Sequence, residues 1–241
     1  MGCGIDTLFF RLRSSSSSSS HPTRFVELDL PSVVTKKKAT ILTNTPLTDL
    51  VKAGGEIEEG REEDGMLFVL RGLDSGYSLC ECDLRDGEGV LRVLGSVGLS
   101  FDVPTLFLSE CVLVYLSPGA SSGLLAALTS RFSRCAVASF EQIRPDDAFG
   151  KVMLRNLAAR GAPLLGLSAH PSLPAQVRRF QKAGFPFVSA LDMNDVYESV
   201  LPVPLQRNAA TREMFDEIEE WRLMQGHYCI TVAVKDGDHK L

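Results

Sequence analysis

Two glycines at the start of the chain, in MGCGIDTLFF, and three carboxylates further along are the residues whose types and order could do chemistry. Gly2 and Gly4 would let a backbone bend tightly and approach a ligand closely. Asp29 follows about 25 residues later, near the spacing at which an acidic residue accepts hydrogen bonds from ribose hydroxyls. Asp83 closes CECD and Glu110 closes PTLFLSE. Each of these carboxylates stands at the carboxyl end of a segment that reads as a strand, and open parallel sheets bind ligands beyond those ends. Asp83 could meet the exocyclic amine of adenine, and Glu110 an amino group on the same ligand. A carboxylate-rich pocket without a phosphate loop suits a cofactor that lacks phosphates and carries a positive centre. S-adenosyl-L-methionine is such a molecule; NAD, with its anionic pyrophosphate, is a poorer match.

Each residue also has a plain structural role open to it. Gly2 and Gly4 could form an ordinary N-terminal turn. Asp29 could cap or turn the chain before Pro31, and Asp83 could pair with Arg85. Glu110 is hardest to explain in that way, because it sits in an apolar run where an unpaired buried charge is costly. Met1-Gly2-Cys3 also resembles a lipidation start. A myristoyl signal wants Ser or Thr at the sixth position; Asp6 stands there instead.

The elements that must position these groups alternate between strand and helix. RFVELDLP reads as a strand, and Pro31 then opens a helix through Val33 and Val34 into Lys36, Lys37 and Lys38, read as a solvated helix end. YSLCECD is a strand, and VPTLFLSECVLVYL reads as one buried on both faces. Ser117 and Pro118 form an N-cap and first helical position. CAVASFEQ, FPFVSALDM and HYCITVAVKDGD are strands. DDAFGKVMLRNLAARG and HPSLPAQVRRFQKAGF are helices stopped by Gly161 and Gly184, and AATREMFDEIEEWRLM is an acidic helix. This order implies an α/β fold with a mostly parallel sheet covered on both faces. The serine run (13–22) and the acidic, glycine-rich stretch GGEIEEGREEDG (within 53–66) read as loops.

The 241 residues suit a single domain spanning 1–241, with 44% hydrophobic residues, net charge −5 and a mean hydropathy of +0.06. No apolar run approaches the ~18 residues of a membrane helix. The negative charge argues against nucleic acid as partner, so neither nucleic acid nor membrane is expected. The six cysteines and four histidines show no metal-ligand spacing. No metal is expected, and reduced buried thiols fit a cytoplasmic protein.

At GCGIDTLFFRL, FVELDLPSVVTKK, CDLRD, TLFLSECVLVYLSP, FEQ with DAFGKVMLRNL, and HYC, the chain resembles the leucine carboxyl methyltransferases, from Gly2 to about Val234. These methylate the C-terminal leucine carboxylate of the protein phosphatase 2A catalytic subunit. The resemblance implies a class I S-adenosylmethionine-dependent methyltransferase sheet with a helical lobe within about 141–224. It places Gly2 and Gly4 in the cofactor loop, Asp29 at the ribose, Asp83 and Leu84 beside adenine (Leu84 by packing or backbone) and Glu110 at the remaining cofactor contact. Tyr115 would face the reacting end, its alternative being a buried strand tyrosine. In the family, helices and a first strand precede the glycine loop; here Met1 stands where that strand should finish, so a truncated chain of impaired activity is expected. A monomer that engages the phosphatase's C-terminal tail is expected. The alternatives are a non-catalytic fragment that binds the phosphatase, and the related methyltransferase of tRNA wybutosine synthesis. That relative carries a C-terminal repeat domain, which ranks it lower.

Overall fold

The computed structural model describes residues 1–15, 23–60, 69–212 and 216–236, and its contacts cluster into two units, Met1–Phe101 and Asp102–Leu241. The serine run from Ser16 on and residues 61–66 of the acidic stretch lie outside the described residues.

In the first unit the elements run α1 (Leu8–Ser14), β1 (Phe25–Asp29), α2 (Pro31–Thr43), α3 (Thr45–Lys52), β2 (Ile57–Glu58), β3 (Leu70–Gly72), β4 (Tyr77–Glu81) and α4 (Gly87–Ser96). The sheet order is β1-β4-β3-β2. β1 and β4 are parallel, with Asp29 opposite Glu81; β3 and β2 join antiparallel. Ile57 and Glu58, within the stretch read as a loop, therefore form a short strand. Phe9, Phe10, Val34, Ile41, Val51, Leu70, Tyr77 and Leu79 make the core, with the Phe9 and Tyr77 rings 4.5 Å apart. Pro31 opens α2 as expected, but the helix continues past the three lysines to Thr43. Lys37 is buried rather than solvated, because it turns inward to Glu27.

The second unit runs β5 (Thr105–Glu110), α5 (Pro118–Arg131), β6 (Cys135–Gln142), α6 (Ala148–Ala159), α7 (Leu173–Lys182), β7 (Phe187–Asp192), α8 (Met193–Asp195), α9 (Val203–Ala210), α10 (Ile218–Gln225) and β8 (Tyr228–Lys235). The sheet order is β5-β6-β8-β7; β5 and β6 are parallel, while β8 runs antiparallel to both neighbours. The apolar run after Val103 differs from the reading of one doubly buried strand. β5 ends at Glu110, Leu106 is 60% exposed, and Leu113–Tyr115 is a 3-10 turn. Ser117 caps α5 through the Ala120 N–H at 3.3 Å. Asp147 caps α6 through the Gly150 N–H at 2.7 Å. The acidic helix is interrupted: α9 stops at Ala210 and α10 starts at Ile218. Among the described residues no helix is long and apolar enough to cross a membrane.

Candidate functional site

In the first unit the opening residues form a bend. Gly2 has φ +61° and Gly4 φ +48°, left-handed values that favour glycine. No neighbouring atom crowds the Cβ position of Gly4, so conformation rather than space selects glycine there. The Cys3 N–H donates to Leu28 O at 3.2 Å, while the Cys82 N–H donates to Asp29 O from the other side. Successive residues of a strand present their carbonyls to opposite edges, so the bend lies along the edge of β1 away from β4. The Asp6 carboxylate then accepts the Thr7 and Leu8 N–H groups at 2.6 and 3.1 Å, leading the chain into α1.

Asp29 joins this bend to the end of β1. Its Oδ2 accepts the Gly4 N–H at 2.7 Å and its Oδ1 accepts the Leu30 N–H at 2.7 Å. Asp29 is not a cap for the body of α2, whose N-cap is Leu30 without a side-chain bond. Beneath the bend, Lys37 Nζ bonds Glu27 Oε2 at 2.7 Å and Asp6 O at 2.8 Å. The Tyr77 hydroxyl donates to the same Glu27 oxygen at 2.5 Å. Burial raises the Glu27 carboxyl and pushes the Tyr77 phenol well up. Sequence reading missed this network; the period of α2, which puts Val34, Lys37 and Ile41 on one buried face, is the signal that could have found it.

Asp83 lies two residues beyond β4 and Asp29 ends its parallel neighbour, so the two carboxylates share the carboxyl end of this pair. Asp83 borders a shallow cleft of ≈ 170 Å³ lined with Glu81, Cys82, Asp86, Gly89 and Arg92. It does pair with Arg85, at 2.9 Å to Nε and 2.5 Å to Nη2, and the arginine holds its carboxyl below the usual range. Both side chains are exposed, 42% and 69%, so the pair contributes little to stability. Leu84 is buried beside it.

Glu110 and Tyr115 belong to the second unit. Glu110 is exposed at the end of β5, not a charge buried in an apolar run, because the strand stops there. Tyr115, 36% exposed, closes the 3-10 turn rather than lying in a strand, and burial raises its phenol. Of the residues expected at the site, Gly2, Gly4, Asp29, Asp83 and Leu84 lie in the first unit, and Glu110 and Tyr115 in the second. Within the first unit, the chemistry of Asp29 and Asp83 beside the glycine bend fits a cationic nucleoside: acceptors for hydroxyls and amines next to exposed backbone.

The alternation of strand and helix has a solved counterpart. A structure titled as a methyltransferase from Thermobifida fusca YX superposes with a TM-score of 0.53 at 15% identity, covering 88% of this chain and 63% of that one. The fold is that of the α/β methyltransferases. The family profile described as leucine carboxyl methyltransferase matches residues 1–129. Leucine carboxyl methyltransferase 1 homolog of Arabidopsis thaliana is 37% identical over 237 residues, 98% of this chain and 68% of its own length. The chain belongs to the leucine carboxyl methyltransferase family. It is also 37% identical over 238 residues to human tRNA wybutosine-synthesizing protein 4, spanning 33% of that protein.

Proposed function

We propose that this chain belongs to an enzyme that uses S-adenosyl-L-methionine to methylate the C-terminal leucine carboxylate of a protein phosphatase 2A catalytic subunit in the cytoplasm. The observation that carries the reading is Asp29, at the end of β1, with one carboxylate oxygen on the Gly4 N–H of a left-handed glycine bend. That arrangement suits a vicinal diol, and family membership supplies the reaction class.

Bound S-adenosyl-L-methionine would supply an electrophilic sulfonium methyl group. Asp29 would accept the ribose hydroxyls, and the backbone beside Gly2 and Gly4 would let the nucleoside come close. Asp83 would exchange Arg85 for the adenine amine, with buried Leu84 packing alongside. Glu110 would take an ammonium group, and Tyr115 would flank the reacting end. A peptide α-carboxylate has an ordinary pKa of about 3.5, so it is ionised at neutral pH and needs no general base. The chain's contribution is alignment of the two reactants and exclusion of water between them.

Calorimetry with S-adenosylmethionine tests the cofactor assignment: saturable binding supports it and no heat at saturating ligand refutes it. Transfer of a labelled methyl group to a peptide ending in free leucine, but not to its C-terminal amide, tests the substrate. The equal identity to the wybutosine protein makes tRNA the control substrate, and labelling of tRNA instead would replace the phosphatase reading. Recovery of phosphatase with no methyl transfer would favour a binding role alone.

A further inference from the structure

The FEQ segment at the end of β6 holds a carboxylate for which the proposed reaction has no use. Glu141 is 1% exposed. Its Oε1 accepts two backbone N–H groups from the neighbouring strand's exit, Val112 at 3.2 Å and Leu113 at 3.1 Å. Those are the first free donors of the 3-10 turn Leu113–Tyr115, whose own N-cap residue, Val112, makes no side-chain bond. The same exit is held again by the Cys111 N–H on Phe140 O at 2.7 Å, and Cys111 is forced to φ +51°, unusual for a residue with a Cβ. On the other side, Arg179 Nη2 reaches Leu113 O at 3.4 Å and the Gly166 N–H donates to Val114 O at 2.8 Å. The six residues from Glu110 to Tyr115 are thus clamped from β6, from α7 and from the loop before it.

Capping a three-residue turn does not require a charge, since a glutamine would present the same acceptor. The carboxylate is kept although burial pushes it up to about 7, and although Glu141 Oε2 and Arg179 Nε have no hydrogen-bond partner. Arg179, the charge nearest in effect, is itself held down by burial. Two buried charged groups without a direct bond between them cost stability where apolar residues would not.

We propose that Glu141 is a positioning residue that fixes the spatial relation of Glu110 to Tyr115, while Arg179 holds the Leu113 carbonyl of the same turn. The geometric claim stands on the contacts above; its consequence for cofactor binding rests on the function proposed in the preceding subsection. Glu141 touches neither cofactor nor substrate; it acts through the two N–H groups it holds.

Amide hydrogen exchange and calorimetry on the whole chain test this together. In Glu141→Ala, the Val112 and Leu113 amides should lose protection by at least about tenfold while those of β8 keep theirs, and S-adenosylmethionine should bind at least about tenfold more weakly. Glu141→Gln, which keeps an acceptor, should restore both to within about threefold of the parent. Should the alanine variant fail to fold, Glu141→Met with Arg179→Met takes its place, filling the space without acceptors or a lone charge. Unchanged exchange at Val112 and Leu113 in the variant overturns the clamp. A loosened turn with unchanged affinity overturns its role in binding. If the parent chain itself binds no S-adenosylmethionine, the cofactor assignment fails and the amide exchange alone decides the clamp.

Discussion

Lys37 Nζ lies 2.7 Å from Glu27 Oε2, with both side chains 3% exposed, and the same ammonium donates to the carbonyl of Asp6. One buried cation therefore joins β1, α2 and the bend that carries Gly2 and Gly4. The second Glu27 oxygen, Oε1, is buried without a hydrogen-bond partner, so the carboxylate depends on Lys37 and Tyr77 for compensation.

Removing that cation should be costly. Lys37→Met leaves Glu27 buried with its charge uncompensated, for which a loss of about 3–5 kcal/mol is expected. Adding Glu27→Gln should recover much of it, since the lone charge is then gone. Urea unfolding of the two variants checks this; a Lys37→Met chain as stable as the parent would contradict it.

Asp29 should matter for ligand far more than for stability. Asp29→Asn keeps one side-chain oxygen, so only one of the Gly4 and Leu30 N–H groups retains its acceptor, and the charge that strengthens hydrogen bonds to hydroxyls is lost. A fall of roughly ten- to a hundredfold in S-adenosylmethionine affinity is expected, with a smaller loss of stability, about 1 kcal/mol, for the one backbone hydrogen bond lost. Calorimetry and a melting curve on one preparation separate the two effects.

Gly4→Ala puts a Cβ on a backbone at φ +48°. No neighbour is struck, so the cost is conformational, about 1–2 kcal/mol. Denaturant unfolding should show this loss, and a cost well above it would point to a contact rather than to backbone strain.

Glu141 gives stability a pH dependence of definite sign. Its carboxyl titrates at about 7 in the folded chain against an ordinary 4.5, with burial as the main cause and Arg179 and the Val112–Val114 backbone opposing it. Between those values the folded state binds more protons than the unfolded state, so this group's contribution falls as pH rises from about 4.5 to about 7. The shift is equivalent to about 3 kcal/mol. Unfolding free energies of the parent and Glu141→Gln at about pH 5 and about pH 7 check it: the difference between the two proteins should change with pH in that direction.

The cysteines should be slow to alkylate in the folded chain. Burial pushes Cys3, Cys80 and Cys229 up to about 12, and Cys82 and Cys111 up to about 11, so little thiolate exists near neutral pH. Mass spectrometry after iodoacetamide should find these five largely unmodified until denaturant is added.

What the sequence by itself determined is what short-range pattern carries. The strands at Phe25–Asp29, Tyr77–Glu81 and Cys135–Gln142, the proline start of α2, the Ser117 cap and the glycine stops at Gly161 and Gly184 all depend on neighbours within a turn or a strand. The order of acidic residues along the strand ends was legible for the same reason, and so was the family. Only the tertiary structure decided that Lys37 turns inward, that the apolar run breaks at Glu110, and that Glu141 reaches back to Val112. Those outcomes depend on which side chains meet across gaps of ten residues or 29, where burying a charge is tolerable only if a partner from another element arrives. Local periodicity marks which face is buried; it does not say which partner waits there.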